Sequence, residues 1–308
     1  MAPAADTVSL LKRTVDWAEL EPWQQDNPSI RTGYRRVTNS WLLCFQSLSW
    51  WHNETVNIWS HFSGALTVVA AYILLLCSIS PGDDLDLAAI PAPFVPLHLI
   101  RMSSLPSVTK SDSMFLDLFL LGALTCFLCS ATYHSATCHS EKVEKFMNRV
   151  DHIGIFFLGT LNYFSTFHYA FFCAPHLRSL YIAAMTVSGT TGTYLACAPT
   201  YATPAYRRMR TYTYFACGGV AIIPFVHAMW RNGWQETSRW LLIEAACYVG
   251  GALTYAERFP ECRWPGRFDL IGSSHQIFHV CTLFAVWAHY AAVVGGFRYW
   301  HVERGGVC

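Results

Sequence analysis

Gly272-Ser-Ser-His-Gln-Ile-Phe-His-Val-Cys-Thr-Leu-Phe-Ala-Val-Trp-Ala-His289 is a largely apolar stretch that opens with two histidines four residues apart. On an α-helix this spacing places His275 and His279 on one face, about one turn apart, within reach of a single metal ion. The stretch therefore predicts a helix that can lie in a membrane and that carries two ligands of a metal site. The remaining ligands must come from elsewhere in the chain.

The composition of the whole chain also indicates a membrane protein. Of the 308 residues, 53% are hydrophobic and only 13% are charged, against about 25% charged in soluble domains. Several stretches carry almost no charge over about 20 residues, the length that crosses the hydrocarbon core. We therefore expect an all-α, multi-pass integral membrane protein, in the plasma membrane or an endomembrane.

Charge and cysteine content narrow the function classes. The net charge is +1, and the basic residues form no block large enough for a phosphate-binding tract, so no nucleic-acid partner is expected. Most of the twelve cysteines fall inside apolar segments. Because a cysteine there usually serves as a small hydrophobic residue, we interpret the cysteines as reduced thiols.

The hydrophobic pattern predicts a seven-transmembrane helix bundle. Residues 1–38 form a polar, partly disordered tail, residues 39–299 the membrane domain, and residues 300–308 a short C-terminal tail. A tryptophan-rich segment at residues 40–51 is too short to span and is expected to lie in the interface. The seven spans are predicted at residues 56–79, 113–137, 151–172, 178–198, 211–230, 239–257 and 273–296.

The lysines and arginines near the span ends predict the orientation. Fourteen of them lie on the side of the N-terminal tail and seven on the opposite side. Since cytosolic connections carry the excess of basic residues, the N-terminus is expected in the cytosol and the C-terminus outside it.

Ionisable side chains inside spans are costly and are candidates for function. His134 lies near the end of the second span, Asp151 opens the third, and His275 and His279 lie in the first turns of the seventh. The alternation of span directions places all four at the same membrane face. Ser130 precedes His134 by one helical turn and is expected beside it.

Three imidazoles with a nearby carboxylate match a catalytic zinc site, which leaves one coordination position for water. We therefore predict Zn²⁺ held by His134, His275 and His279, with Asp151 and Ser130 as catalytic residues. Hydrogen bonding between helices is the alternative for the histidine pair, and Cys138 is a weaker candidate ligand. A looser polar set is interpreted mainly as hydrogen bonds between helices: Asp117, His168, His227, Glu244 and His289.

Four motifs together resemble the PAQR family, the progestin and adiponectin receptors, which includes the haemolysin III proteins. They occur in the family's order, and further segments resemble the adiponectin-receptor class with its fungal members. The motifs are His52-Asn-Glu-Thr-Val-Asn-Ile-Trp-Ser-His61, Ser130-Ala-Thr-Tyr-His-Ser-Ala-Thr-Cys-His-Ser140, Val150-Asp-His-Ile-Gly154 and Ser274-His-Gln-Ile-Phe-His279. The resemblance implies seven helices with a cytosolic N-terminus. It also implies zinc on the residues matching His134, His275 and His279.

The resemblance implies a zinc-dependent membrane amidohydrolase that cleaves a lipid amide such as ceramide, with the membrane lipid as substrate. The alternative is a non-enzymatic receptor with a structural zinc, which binds an extracellular protein or a steroid and is linked to lipid or metal homeostasis. His152 and Ile153 stand where the adiponectin receptors have an aromatic hydroxyl and a serine. We therefore expect different hydrogen bonding around Asp151.

Overall fold

The computed structural model describes residues 13–77, 90–95, 105–199, 201, 203–233 and 235–308. These residues are mainly helical and contain no β-strand, apart from an isolated bridge between Val15 and Tyr34. The all-α class is confirmed. The helices of this part of the chain are α1 Trp41–Ser47, α2 Thr55–Cys77, α3 Lys110–Ala136, α4 Glu141–Ala170, α5 Pro175–Ala196, α6 Arg207–Gly219, α7 Ile222–Asn232, α8 Glu236–Glu257 and α9 Ser274–Phe297.

Four helical segments in the described ranges are long and apolar enough to cross a membrane. They are Thr55–Ile73, Lys110–Ala136, Pro204–Asn232 and Ser274–Glu303. Charged groups are scarce in their central turns, where no water is available to solvate them. The last segment joins α9 to a π-helical turn, Arg298–Glu303. Most of the first connection, predicted at residues 81–112, lies outside the described residues.

The predicted fifth span, at residues 211–230, is divided into two helices. α6 ends at Gly219 and α7 begins at Ile222. Pro224 has no N–H to donate to a preceding carbonyl, and its ring crowds the previous turn, so it is tolerated only in the first turn of a helix. Gly218 and Gly219 add low helix propensity, and the chain therefore breaks just before the proline.

A central group of helices brings together the two segments that carry the predicted metal ligands. α3 packs along α4, α9 packs along α8, and α2 lies against both α3 and α9. Small residues permit close contacts, and a Cβ added at Gly122 of α3 would lie 3.1 Å from the Leu161 Cβ of α4. Phe119, Phe127 and Phe297 are buried in this core. The packing fixes the C-terminal turn of α3 next to the first turns of α9.

The N-terminal segment packs against the end of the bundle where α3 ends. Arg35 is 4% exposed and donates to the carbonyl oxygens of His134, at 2.5 Å, and Ser135, at 3.1 Å. The Asp269 carboxylate accepts from the backbone N–H groups of Arg31 and Thr32, both at 3.0 Å. Residues 1–12 of the predicted partly disordered tail lie outside the described residues.

The opposite end of the bundle contains a disulfide between Cys173 and Cys308. The prediction that the cysteines are reduced thiols is wrong for these two. Cys173 follows the end of α4, and Cys308 follows the π-helical turn that ends at Glu303, so both lie beyond the apolar core of a span and can meet. Their bond ties the C-terminal residues to the connection between α4 and α5. The other cysteines whose side chains the structure describes are free.

Candidate metal centre

Three histidine rings converge where the last turn of α3 meets the first turns of α9. The ring centroid of His134 lies 4.9 Å from that of His275 and 4.8 Å from that of His279. The two rings of α9 are 4.8 Å apart, as expected for side chains separated by one helical turn. One nitrogen from each residue lies within 4.8 Å of the others, so the three can share one metal ion.

The nitrogen positions suit a tetrahedral ion. Nε2 of His134 lies 3.2 Å from Nε2 of His275. Two nitrogens at about 2.0–2.1 Å from a zinc ion are separated by about 3.4 Å in a tetrahedral arrangement. Two lone pairs this close repel unless a proton or a cation lies between them. The three residues therefore fit zinc.

The hydrogen bonds of the other ring nitrogens support the same orientation. Nδ1 of His134 lies 2.8 Å from Oε2 of Glu54, and Nδ1 of His279 lies 3.1 Å from the carbonyl oxygen of Asn57. A metal-binding histidine usually donates its second N–H to a carboxylate or a carbonyl in this way. These partners fix both tautomers so that each Nε2 keeps a free lone pair.

Asp151 and Ser130 line the same cavity as the two histidines of α9. Asp151 lies on α4, and Ser130 lies on α3, one turn before His134. Ser130 is 2% exposed, and its hydroxyl interacts with the carboxylate of Asp151. The two side chains therefore form one polar group in the cavity wall. The structure thus brings all five predicted site residues to one end of the bundle.

Residues at the start of α2 and just before it also contribute to the centre, and the sequence did not predict them. Glu54 and Asn57 bond the ligand histidines, and Ser60 Oγ lies 3.4 Å from Nδ1 of His279. The ring of His61 stacks on that of His279, with centroids 3.8 Å apart. All four belong to the motif from His52 to His61. Glu54, Asn57 and then Ser60 or His61 follow one another at intervals of three or four residues, which places them on one helical face. This periodicity is the sequence feature from which the contribution of these residues could have been predicted.

A cavity of about 550 Å³ extends from this site through the bundle. Its wall includes Asp151 and His275 at one end and Asn232 and Gln235 at the other, and most of the lining is apolar. Ile222 and Leu242 line it and are exposed. The cavity therefore opens near α7 and α8, and its length and apolar lining suit an elongated apolar ligand.

The second predicted polar set does not form one site. Asp117 bonds Tyr72, His168 bonds Asp112, and His227 bonds Tyr181, each joining two helices. Glu244 and His289 bond each other at 2.8 Å, and Glu244 lines the cavity.

Cys138 lies apart from the metal group, with its sulfur 3.5 Å from that of Cys44. His139 packs its ring against Trp41, with centroids 4.7 Å apart. Neither is a member of the three-histidine group.

Comparison with known proteins identifies the family. A family model described as haemolysin-III related matches residues 49–290, which include α2 and every residue of the candidate metal centre. The chain belongs to the haemolysin-III-related family. The predicted resemblance to the PAQR proteins is confirmed, and so is the integral, multi-pass membrane localisation, because this is a family of membrane proteins with several apolar helices.

Relatives in the haemolysin-III-related family cover most of the chain. The ADIPOR-like receptor IZH1 of Eremothecium gossypii is 30% identical over 293 residues, which are 93% of this chain and 86% of that protein. The ADIPOR-like receptor IZH2 of Saccharomyces cerevisiae is 30% identical over 98% of this chain and 90% of its own. The adiponectin receptor protein of Drosophila melanogaster is 28% identical over 90% of this chain, which spans 58% of the Drosophila protein.

Proposed function

We propose that this adiponectin-receptor-like protein crosses the membrane seven times, with the N-terminus in the cytosol and the C-terminus outside. α2, α3, α4, α5, α8 and α9 supply six spans, and the interrupted pair α6 and α7 supplies one. The disulfide of Cys173 and Cys308 lies at the C-terminal end of the bundle, and disulfides persist in oxidising compartments. The excess of basic residues lies at the other end.

We further propose that the protein is a zinc-dependent amidohydrolase that cleaves a lipid amide such as ceramide. The observation that carries this proposal is the convergence of His134, His275 and His279 beside a cavity. The two histidines of α9 line this cavity together with Asp151 and Ser130. Zinc, when bound there, supplies a Lewis acid that polarises a carbonyl and makes water a stronger nucleophile near neutral pH.

The side chains of the protein provide the other functions that the reaction needs. The three imidazoles bind the ion, while Glu54 and the carbonyl of Asn57 hold two of those rings in place. Asp151 accepts a proton from the attacking water and returns it to the leaving amine, which yields a fatty acid and a sphingoid base. Ser130, whose hydroxyl interacts with the Asp151 carboxylate, orients that carboxylate towards the water. The apolar wall takes up the acyl chain and excludes bulk water from the amide.

The test uses purified protein in detergent micelles with labelled ceramide and measures both hydrolysis and bound metal. We expect His275→Ala to lose both. Asp151→Asn should keep the metal and hydrolyse about a hundredfold to ten-thousandfold more slowly, the usual contribution of a general base. His227→Ala, which removes a histidine far from the centre, is the matched control and should keep both. Equal hydrolysis by wild type and His275→Ala would exclude the mechanism.

A receptor with a structural zinc is the second candidate. It is favoured by the relatives, since the proteins of Eremothecium gossypii and Saccharomyces cerevisiae are called receptors. Its ligand would be an extracellular protein or a steroid. The two functions differ at Asp151, because a receptor in which zinc only supports the fold should signal normally with Asp151→Asn. An enzyme should lose its product with the same substitution.

A further inference from the structure

The cavity has a second group of polar side chains, remote from the metal centre. It consists of Asn162 on α4 and of Glu244 and Tyr248 on α8, and all three line the cavity. We call it the Asn162 site. Eleven residues separate Asp151 from Asn162 on α4, which corresponds to about 16 Å along a helix. An extended acyl chain whose carbonyl group lies at the metal centre therefore reaches the Asn162 site with carbons well past the middle of the acyl chain.

The free atom at the Asn162 site is a hydrogen-bond acceptor. Nδ2 of Asn162 donates to Oε1 of Glu244 at 3.2 Å and to the hydroxyl of Tyr248 at 3.4 Å. Turning the amide over would place two oxygens against each other, so this orientation is fixed by the network. Oδ1 of Asn162 is left buried without a partner, on a residue that is 2% exposed.

Hydrogen bonds from neighbouring side chains hold Glu244 in place, and Glu244 in turn fixes the orientation of the Asn162 amide. His289 places Nδ1 2.8 Å from Oε2 of Glu244 and Nε2 2.9 Å from Oγ of Ser165. The order serine, histidine, glutamate resembles a hydrolytic triad. Ser165, however, is 0% exposed and does not line the cavity, and its Oγ also bonds the carbonyl oxygen of Asn162. The cluster therefore positions Asn162 and does not attack a substrate.

We propose that the Asn162 site binds a hydroxyl group on the chain of the lipid, so that the protein selects amides of hydroxylated fatty acids. This inference rests on the proposed function, because it takes the acyl chain to run from the metal centre into the cavity. An acyl chain without a hydroxyl group covers Oδ1 of Asn162 and leaves this atom without a hydrogen-bond donor. A hydroxyl at that depth donates to it. Because Glu244 already has an imidazole and an amide as partners, the free acceptor is neutral and matches a hydroxyl better than an ammonium group.

The test measures binding of free fatty acids, so it does not depend on hydrolysis. Ricinoleic acid and oleic acid differ only by one hydroxyl past the middle of the chain. Each would compete with a fluorescent fatty acid for the purified protein. We expect wild type to bind ricinoleic acid about tenfold more tightly, since an unpaired buried acceptor costs about that factor. 2-Hydroxyoleic acid, whose hydroxyl adjoins the carboxyl group, should show no such advantage.

Variants assign the preference to the site. Asn162→Leu should bind oleic acid at least as tightly as wild type, which shows that it is folded, and should lose the preference for ricinoleic acid. Ser188→Ala, which removes another hydroxyl from the cavity wall, should keep the preference. Because this binding measurement requires no hydrolysis, loss of hydrolysis and loss of selection can be told apart.

Two results would overturn the proposal. One is equal affinity of wild type for ricinoleic and oleic acid, which would mean that water satisfies Oδ1. The other is tighter binding of an amino-terminated dodecanoic acid than of ricinoleic acid, which would mean that the site selects a cation.

Discussion

Glu54 supports the predicted metal ligand His134 through a hydrogen bond and is not itself one of the predicted ligands. Its carboxylate lies 2.8 Å from Nδ1 of His134 and also accepts from Nδ2 of Asn57 at 2.7 Å. We expect Glu54→Gln to weaken metal binding by about tenfold, the lower end of the usual effect of such partners. Competition with a coloured chelator measures the affinity. Glu257→Gln removes an exposed carboxylate paired with Arg208 and should leave the affinity unchanged. Equal affinities in all three proteins would contradict the assignment.

His52 gives the fold a dependence on pH. It is buried, and its Nδ1 accepts from the backbone N–H of Glu54 at 3.1 Å, at the start of α2. Burial, helped by the charge of Arg35, lowers the pKa of His52 to about 3. The unfolded chain takes up a proton near pH 6.5 and the folded chain does not. Stability from this residue is therefore full above about pH 6.5 and decreases as the pH falls towards about 3.

The measurement is the thermal unfolding midpoint in micelles at about pH 7 and about pH 5. His52→Asn keeps a hydrogen-bond acceptor near the start of α2 and cannot take up a proton. Its midpoint should fall less on acidification than that of wild type. An equal fall in both proteins would show that other groups cause the acid sensitivity.

At the scale of single residues, the sequence indicated the polar residues that the structure brings together, but not the residues that support them. Ser130, His134, Asp151 and the histidines of α9 stood out because polar groups are rare in apolar helices. Glu54 and Arg35 lie outside the spans, where charged residues are common. Their importance depends on which carbonyl or ring nitrogen they meet, and that is decided by the packing of distant segments.

Gly189 lies at a close contact between α4 and α5. A Cβ added there would lie 1.9 Å from Oγ1 and 3.2 Å from Cβ of Thr160, so Thr160 would have to leave its rotamer and the helices would have to adjust. Small residues allow this kind of close approach in membrane bundles. We expect Gly189→Ala to destabilise the protein by about 1–3 kcal/mol, the usual cost of overpacking. Thermal unfolding in micelles measures it.

Gly250 on α8 is the matched control for this substitution. A Cβ added there meets nothing within 4 Å. Gly250→Ala should be neutral or stabilising by about 0.5–1 kcal/mol, since alanine has the higher helix propensity. If both variants unfolded at the same temperature, the close contact at Gly189 would not matter.

The helices show why periodicity alone misplaces their ends. α4 begins at Glu141, ten residues before the predicted span at 151–172. Its first turns are polar, with Lys145 paired to Glu141, so hydropathy does not reveal them. The break between α6 and α7 has the opposite cause. There residues 211–230 include no lysine, arginine, aspartate or glutamate, and the local chemistry of Pro224 and its neighbouring glycines interrupts the helix.

The disulfide allows a direct test of the orientation of the whole molecule. Cys308→Ser leaves Cys173 as a free thiol at the C-terminal end of the bundle. With the C-terminus outside, a membrane-impermeant maleimide added to intact cells should label this variant and not the wild type. Labelling only after the cells are permeabilised would reverse the proposed orientation. Cys262→Ser, at the other end of the bundle, is the control and should remain unlabelled in intact cells.

For the molecule as a whole, the meeting of α3, α4 and α9 at one membrane face could be predicted from the alternation of span directions. Which helices are neighbours could not, because no local pattern states that α8 packs along α9. The cavity and the Asn162 site follow from that arrangement. Asn162 and Glu244 are far apart in sequence, and neither segment carries a local pattern that predicts its contact with the other.

Arg35 has a practical consequence for shortening the chain. Its guanidinium bonds two carbonyl groups at the end of α3 and the hydroxyl groups of Ser47 and Thr137. It thereby anchors the helix terminus that presents His134. A shortened chain that is made for purification or crystallisation should therefore begin before Arg35. Deleting this residue would remove hydrogen bonds from the turn that carries His134 and displace that turn, although no predicted metal ligand would be lost.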